Sequence, residues 1–125
     1  MKLLVVAGIA ELTVAALSGR LMVLAVQAPS VWRRAGVTRP KRIRQAHLDL
    51  VLMGSIQVAV GAAVPDLPLW VTVLIALGAV VQPLLFLPLA MRPGLARARG
   101  FQTLVAAVFA ATSVAWVALA VTVFR

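Results

Sequence analysis

The sequence predicts an all-α membrane protein, four transmembrane helices packed as an antiparallel bundle, and three observations lead there. Hydrophobic residues make up 63% of the chain and charged residues only 12%, and the mean hydropathy of +1.07 lies far above that of a water-soluble domain. Four apolar runs each reach the roughly 20 residues that a helix needs to cross a bilayer. The lysines and arginines collect between those runs rather than within them. At 125 residues the chain is one domain, with spans expected at 3–27, 45–64, 69–91 and 101–124.

The first run, residues 3–27, is long enough to span with some tilt. It is too long for the apolar part of a secretory leader cleaved after Val26-Gln27-Ala28, and Glu11 and Arg20 interrupt it. Pro29 ends it, because proline cannot continue the backbone ladder. Glu11 and Arg20 lie on opposite faces, roughly 13 Å apart along the axis, so each needs a partner on another helix or a wet cavity. For Arg20 the alternative is snorkelling to the nearby interface. Residues 28–45 form the first loop, with Pro29, Gly36 and Pro40 as breakers and Trp32 as an interfacial anchor.

The second span opens with the chain's only histidine, His47, and with Asp49, one of its three carboxylates. Ionisable groups are costly at membrane depth, which makes these two functional candidates. Lipid-headgroup contact or helix capping is the plain structural role for His47. The two lie about 200° apart round the helix, so they are not a same-face acid–base pair. Gly54 and Gly61 share a face and permit close approach of a neighbouring helix or a flat ligand.

The short connection at 65–68, Pro-Asp-Leu-Pro, makes the third span an antiparallel neighbour of the second. That third span begins at the interfacial Trp70 and carries Gln82 near its middle, followed by Pro83 and Pro88. Each proline removes a backbone donor and frees a carbonyl four residues back, at Ala79 and Leu84. A kink there opens a polar pocket, unless these prolines are the ordinary ones of membrane helices. In the fourth span Ala107, Ala111 and Ala115 form a small-residue stripe suited to helix packing. Thr112 and Ser113 bond to carbonyls of their own helix.

The net charge of +9 is distributed as in a membrane protein, which argues against nucleic acid as a partner. Arg33, Arg34, Arg39, Lys41, Arg42 and Arg44 lie in the first loop and Arg92, Arg97 and Arg99 in the third, against Lys2 and Arg125 at the termini. Such loops stay in the cytoplasm and meet anionic lipid headgroups, which places both termini outside a multi-pass inner or plasma membrane protein. With no cysteine, disulfide, thiolate and zinc–cysteine chemistry are absent.

Depth follows from the helix rise. Arg20 and Asp49 each fall roughly 7 Å to the basic-loop side of their helix centres. They are therefore expected to pair, since an unpaired buried charge is costlier. Glu11 and Gln57 match in the same way on the other side, a protonated Glu11 being the alternative.

Ala46-His47, Gly54 seven residues after the histidine, and an apolar run ending at Pro65 resemble the second helix of two related groups of small four-helix membrane enzymes. These are the hydroxylaminobenzene mutases and the styrene oxide isomerases. Asp49 stands where the mutases carry a glutamate, and Gln82, four residues after Gly78, resembles a third-helix asparagine of both groups. The resemblance implies haem b held by His47 as axial ligand, against the Gly54 face, with ferric iron acting as a Lewis acid on an epoxide oxygen. The basic loop would hold the propionates, and Gln82 would orient substrate. The chain departs from the pattern at Met53, where the family has asparagine, and at Phe86, where the isomerases have tyrosine. It contains no tyrosine and no second histidine, so a bis-histidine cytochrome is excluded.

Three function classes remain: a haem-assisted isomerase or mutase acting on a small apolar substrate, a non-catalytic membrane subunit, and a small-molecule or proton carrier using Glu11, Arg20 and Asp49. Membrane lipids, a small apolar ligand and a second copy of the chain are the expected partners.

Overall fold

The computed structural model describes residues 3–125; Lys2, counted above among the terminal charges, lies outside them. Six helices follow in order: α1 (Leu3–Gln27), α2 (Pro29–Arg34), α3 (Pro40–Ala63), α4 (Leu69–Leu84), α5 (Phe86–Met91) and α6 (Arg99–Phe124), with a 3-10 turn at Pro93–Arg97. Among the described residues, Leu3–Leu24 of α1, α3, the combined stretch Leu69–Met91 and α6 are long and apolar enough to cross a membrane. The surface suits that solvent: Leu17, Val26, Leu69, Val117 and Phe124 are between 64% and 88% exposed. Lipid tails offer no hydrogen bonds, so each span must close its backbone ladder internally.

Glycines set the α1–α3 contact. Leu4 and Val5 meet Gly61, Gly8 meets Gly54 and Val58, Gln57 meets Glu11, and His47 meets Ser18, so the two helices run in opposite directions. A Cβ on Gly8 would lie 2.6 Å from the Gly54 carbonyl oxygen and 2.8 Å from Val58 Cγ2. Only hydrogen at that position allows the backbones so close. On the other side of the molecule Gly78 of α4 receives the Thr112 side chain of α6. Below it Val71, Ile75, Ala115 and Leu119 form a buried cluster that Leu4 of α1 completes.

The basic-loop end is built differently from the run of breakers expected there. Pro29 and Pro40 each occupy a first helical turn, where the missing N–H has no intrahelical partner to lose. As a result α2 is a helix within the first loop. α3 also starts five residues before the expected boundary, taking the basic run into its first turns. α2 closes with Gly36 at φ 86°, the Gly36 N–H bonding to Arg33 O and the Val37 N–H to Trp32 O, a Schellman motif. The third span is interrupted at Leu85, where the prolines predicted a kink; Leu85 keeps helical angles (φ −65°, ψ −22°), and its N–H still reaches the Val81 and Gln82 carbonyls. Prolines at 83 and 88 remove the two donors that would carry the ladder through. The loop clamps the resulting short helix: the Thr38 and Arg39 N–H groups, each at 2.9 Å, and the Thr38 hydroxyl, at 3.2 Å, all donate to Ala90 O.

The alanine stripe of the fourth span packs only in part. Ala107 and Ala111 are exposed, whereas Ala115, its third member, turns inward with Thr112 and Leu119. Gly78 is the reason, because it accepts Thr112 and so fixes the rotation of α6.

Candidate functional site

α3 and α6 stand apart at the basic-loop end, with the broken third span between them. The gap is a cavity of about 600 Å³. Asp49 and Met53, one turn apart, supply the α3 wall, and Phe101, Val105 and Phe109, at four-residue spacing, supply the α6 wall. Gln82, Phe86 and Leu89 line it from either side of the break at Leu85. The lining is largely apolar, with Asp49, Gln82 and Gln102 as its polar side chains. The Gln102 Nε2 donates to Ala96 O at 3.0 Å, tying the 3-10 turn to α6. At the rim the Arg42 guanidinium lies 6.0 Å from the Phe86 ring centroid and donates to Gln45 Oε1 at 3.0 Å.

Asp49 and Arg20 do not pair. Asp49 lines the cavity, whereas Arg20 is exposed on α1; among the described residues none forms an ion pair with Asp49. The depths match, but Asp49 lies on the side of α3 turned from α1. Arg20 is left to snorkel.

Glu11 and Gln57 are brought together. Gln57 Nε2 donates to Glu11 Oε1 at 2.6 Å between α1 and α3, in a buried setting. Glu11 Oε2 and Gln57 Oε1 are buried beside this bond with no partner.

His47 lies away from the cavity. Its Nδ1 is 2.9 Å from Ser18 Oγ of α1. It lines a separate groove of about 430 Å³ together with Met22, Lys41 and Arg44. Gln82 and His47 are therefore on different sides of α3. The Gly54 face expected to admit a flat macrocycle is filled by α1: a Cβ there would lie 3.0 Å from both Gly8 O and Leu12 Cγ. A haem on the Gly54 face does not fit. The Ser18 contact engages Nδ1, which leaves Nε2 as the nitrogen open to coordination. Among the described residues no three His, Cys, Asp or Glu side chains converge as a metal site.

Ser18 and the aromatic wall of Phe101 and Phe109 were absent from the sequence-based candidates. The wall had a signal in its four-residue spacing. Ser18 had none in its depth, which the fixed rise puts roughly 6 Å nearer mid-membrane than His47.

No protein-family model matches the chain, and neither a curated protein nor a solved structure matches it.

Proposed function

We propose that this multi-pass membrane protein draws a small, mainly apolar molecule from the bilayer into the cavity beside Leu85, where Asp49 and Gln82 engage its polar group. The observation that carries this reading is a carboxylate and a carboxamide sharing a lining that is otherwise largely apolar. Asp49 accepts hydrogen bonds, and Gln82 both donates and accepts. A mainly apolar pocket with a few polar groups is the usual form of a small-molecule site. The resemblance to the mutases and isomerases supplies the catalytic form of the reading, an intramolecular rearrangement in which Gln82 orients the substrate and Asp49 stands in for the mutase glutamate.

The test is saturable binding of hydroxylaminobenzene and of styrene oxide to protein in lipid nanodiscs, read from the Met53 methyl resonance. Ala106→Trp, which fills the cavity, should abolish the response. No saturable shift in the unaltered protein overturns the mutase and isomerase form of the reading.

The haem b form draws on His47, which lines the outer groove together with Lys41 and Arg44. Bound there, haem would supply a Lewis-acidic iron, and the two cations would meet its propionates. Gln82 is on the far side of α3, so within one chain it does not reach that group. Soret absorbance in purified protein, lost in His47→Ala, is the expected sign; colourless protein from a haem-replete host overturns it. A non-catalytic, homo-oligomeric packing subunit is the second reading, and it draws on the exposed Ala107 and Ala111.

The orientation belongs to the same proposal. The cations of the first and third loops outnumber those at the termini, which supports an inner or plasma membrane location with both ends outside. A reporter fused after Arg125 should be active only on the outer side.

A further inference from the structure

Resting on the cavity being a ligand site, we infer its ligand class: a lipophilic cation, an amine or quaternary ammonium carried on an aromatic or aliphatic body. Asp49 is the only acid on the lining, and among the described residues no cation or donor compensates it. An intramembrane carboxylate without a counter-charge is costly. A neutral ligand leaves that cost in place, and an anionic one adds to it. A cation removes it.

The rest of the lining points the same way. Phe86, Phe101 and Phe109 present aromatic rings to the space, and Met53 adds a polarisable sulfur. Ring faces attract cations, most strongly where water is excluded. The basic rim does not cancel this. Arg42 is already engaged with Gln45 and the Phe86 ring, and it sits two turns before Asp49, roughly 10 Å along the axis. At that separation it forms no ion pair with Asp49. Gln82 lies deeper and is placed to bond a hydroxyl or amide on the body of the ligand.

An ammonium group reaches this site from a free amine or from a lipid headgroup, and the chemistry at Asp49 is the same. The experiment uses benzyltrimethylammonium and its uncharged carbon isostere, neopentylbenzene. Both are titrated onto the full chain in nanodiscs of phosphatidylglycerol, with the Met53 methyl resonance as readout. Met22, in the His47 groove, is the internal control. The ammonium should bind at least roughly tenfold tighter than the isostere. Asp49→Asn should bring the two to equal affinity and Asp49→Glu should keep the preference.

Equal affinity in the unaltered protein, or a preference that survives Asp49→Asn, overturns the inference while leaving the cavity as a ligand site. Failure of both probes to move Met53 overturns the cavity reading and the inference with it. Repeating the titration in phosphatidylcholine separates the sources. Competition there assigns the ammonium to the lipid headgroup, and unchanged affinity assigns it to a free amine; both results keep the cation.

Discussion

The two ends of this helical assembly use the same spans to opposite effect. From mid-membrane to the 65–68 connection, Gly8, Gly54, Gly61 and Gly78 bring backbone or side chain into direct contact, and Leu4, Val71, Ile75, Ala115 and Leu119 form a buried cluster, leaving a groove of about 330 Å³ beside the connection. Toward the basic loops the same helices leave a cavity of about 600 Å³. Glycines draw the first region together. Prolines at 83 and 88 interrupt the helix that lines the second. The buried polar groups differ in kind as well: Glu11 is tied to Gln57 in the closed half, whereas Asp49 faces open space in the other. Small residues make the structure, and breakers make the site.

The largest expected effect breaks the closed half. Gly8→Leu drives a side chain into the Gly54 carbonyl, which cannot yield, and should cost about 3 kcal/mol, the upper range of overpacking. Ala106→Leu, a similar enlargement on the cavity wall, should stay within about 0.5 kcal/mol. Unfolding in detergent micelles followed by circular dichroism gives both numbers. Comparable losses would show that the cavity is not open.

Next is the polar contrast. Glu11→Ala leaves the buried Gln57 carboxamide without its acceptor and should cost about 2 kcal/mol, while Glu11→Gln, which keeps an acceptor, should cost less than half of that. Asp49→Ala removes an uncompensated carboxylate and should leave the unfolding midpoint unchanged or raise it. A fall at Asp49 as large as that at Glu11 would mean that Asp49 has a structural partner.

Two smaller effects sharpen the comparison. Gln82→Leu should leave folding intact and weaken binding of a hydroxyl-bearing probe roughly fivefold, the worth of one neutral hydrogen bond. Thr38→Val should cost only about 0.5 kcal/mol, since two backbone N–H groups still hold the Ala90 carbonyl after the hydroxyl is lost. Its readout is hydrogen exchange at the Thr38 and Arg39 amides.

Several features of the site were legible in the chain. The prolines marked the break, and their place beside Gln82 marked a pocket wall. The depth of Glu11 matched that of Gln57. The depth of Arg20 matched that of Asp49 equally well, yet those two do not meet. Depth along a helix follows from a fixed rise per residue, so it can be counted. Rotation about the axis depends on which neighbour offers room. On α3 that neighbour is α1, which takes the face of His47, Gly54, Gln57 and Gly61 and leaves Asp49 to the other side. The same reason corrects the fourth span, where Gly78 draws in Thr112 and turns Ala107 and Ala111 outward.

The sequence by itself determined the number of spans, the gathering of basic residues between them and the interruption of the third span. Each of these follows from how a single helix meets lipid, water or a missing backbone donor. Only the tertiary structure decided that His47 belongs to an outer groove and Asp49 to the cavity, and that the Gly54 face is filled by α1. Those outcomes depend on contacts between helices far apart in the chain, where one hydrogen in place of a Cβ sets which face turns inward.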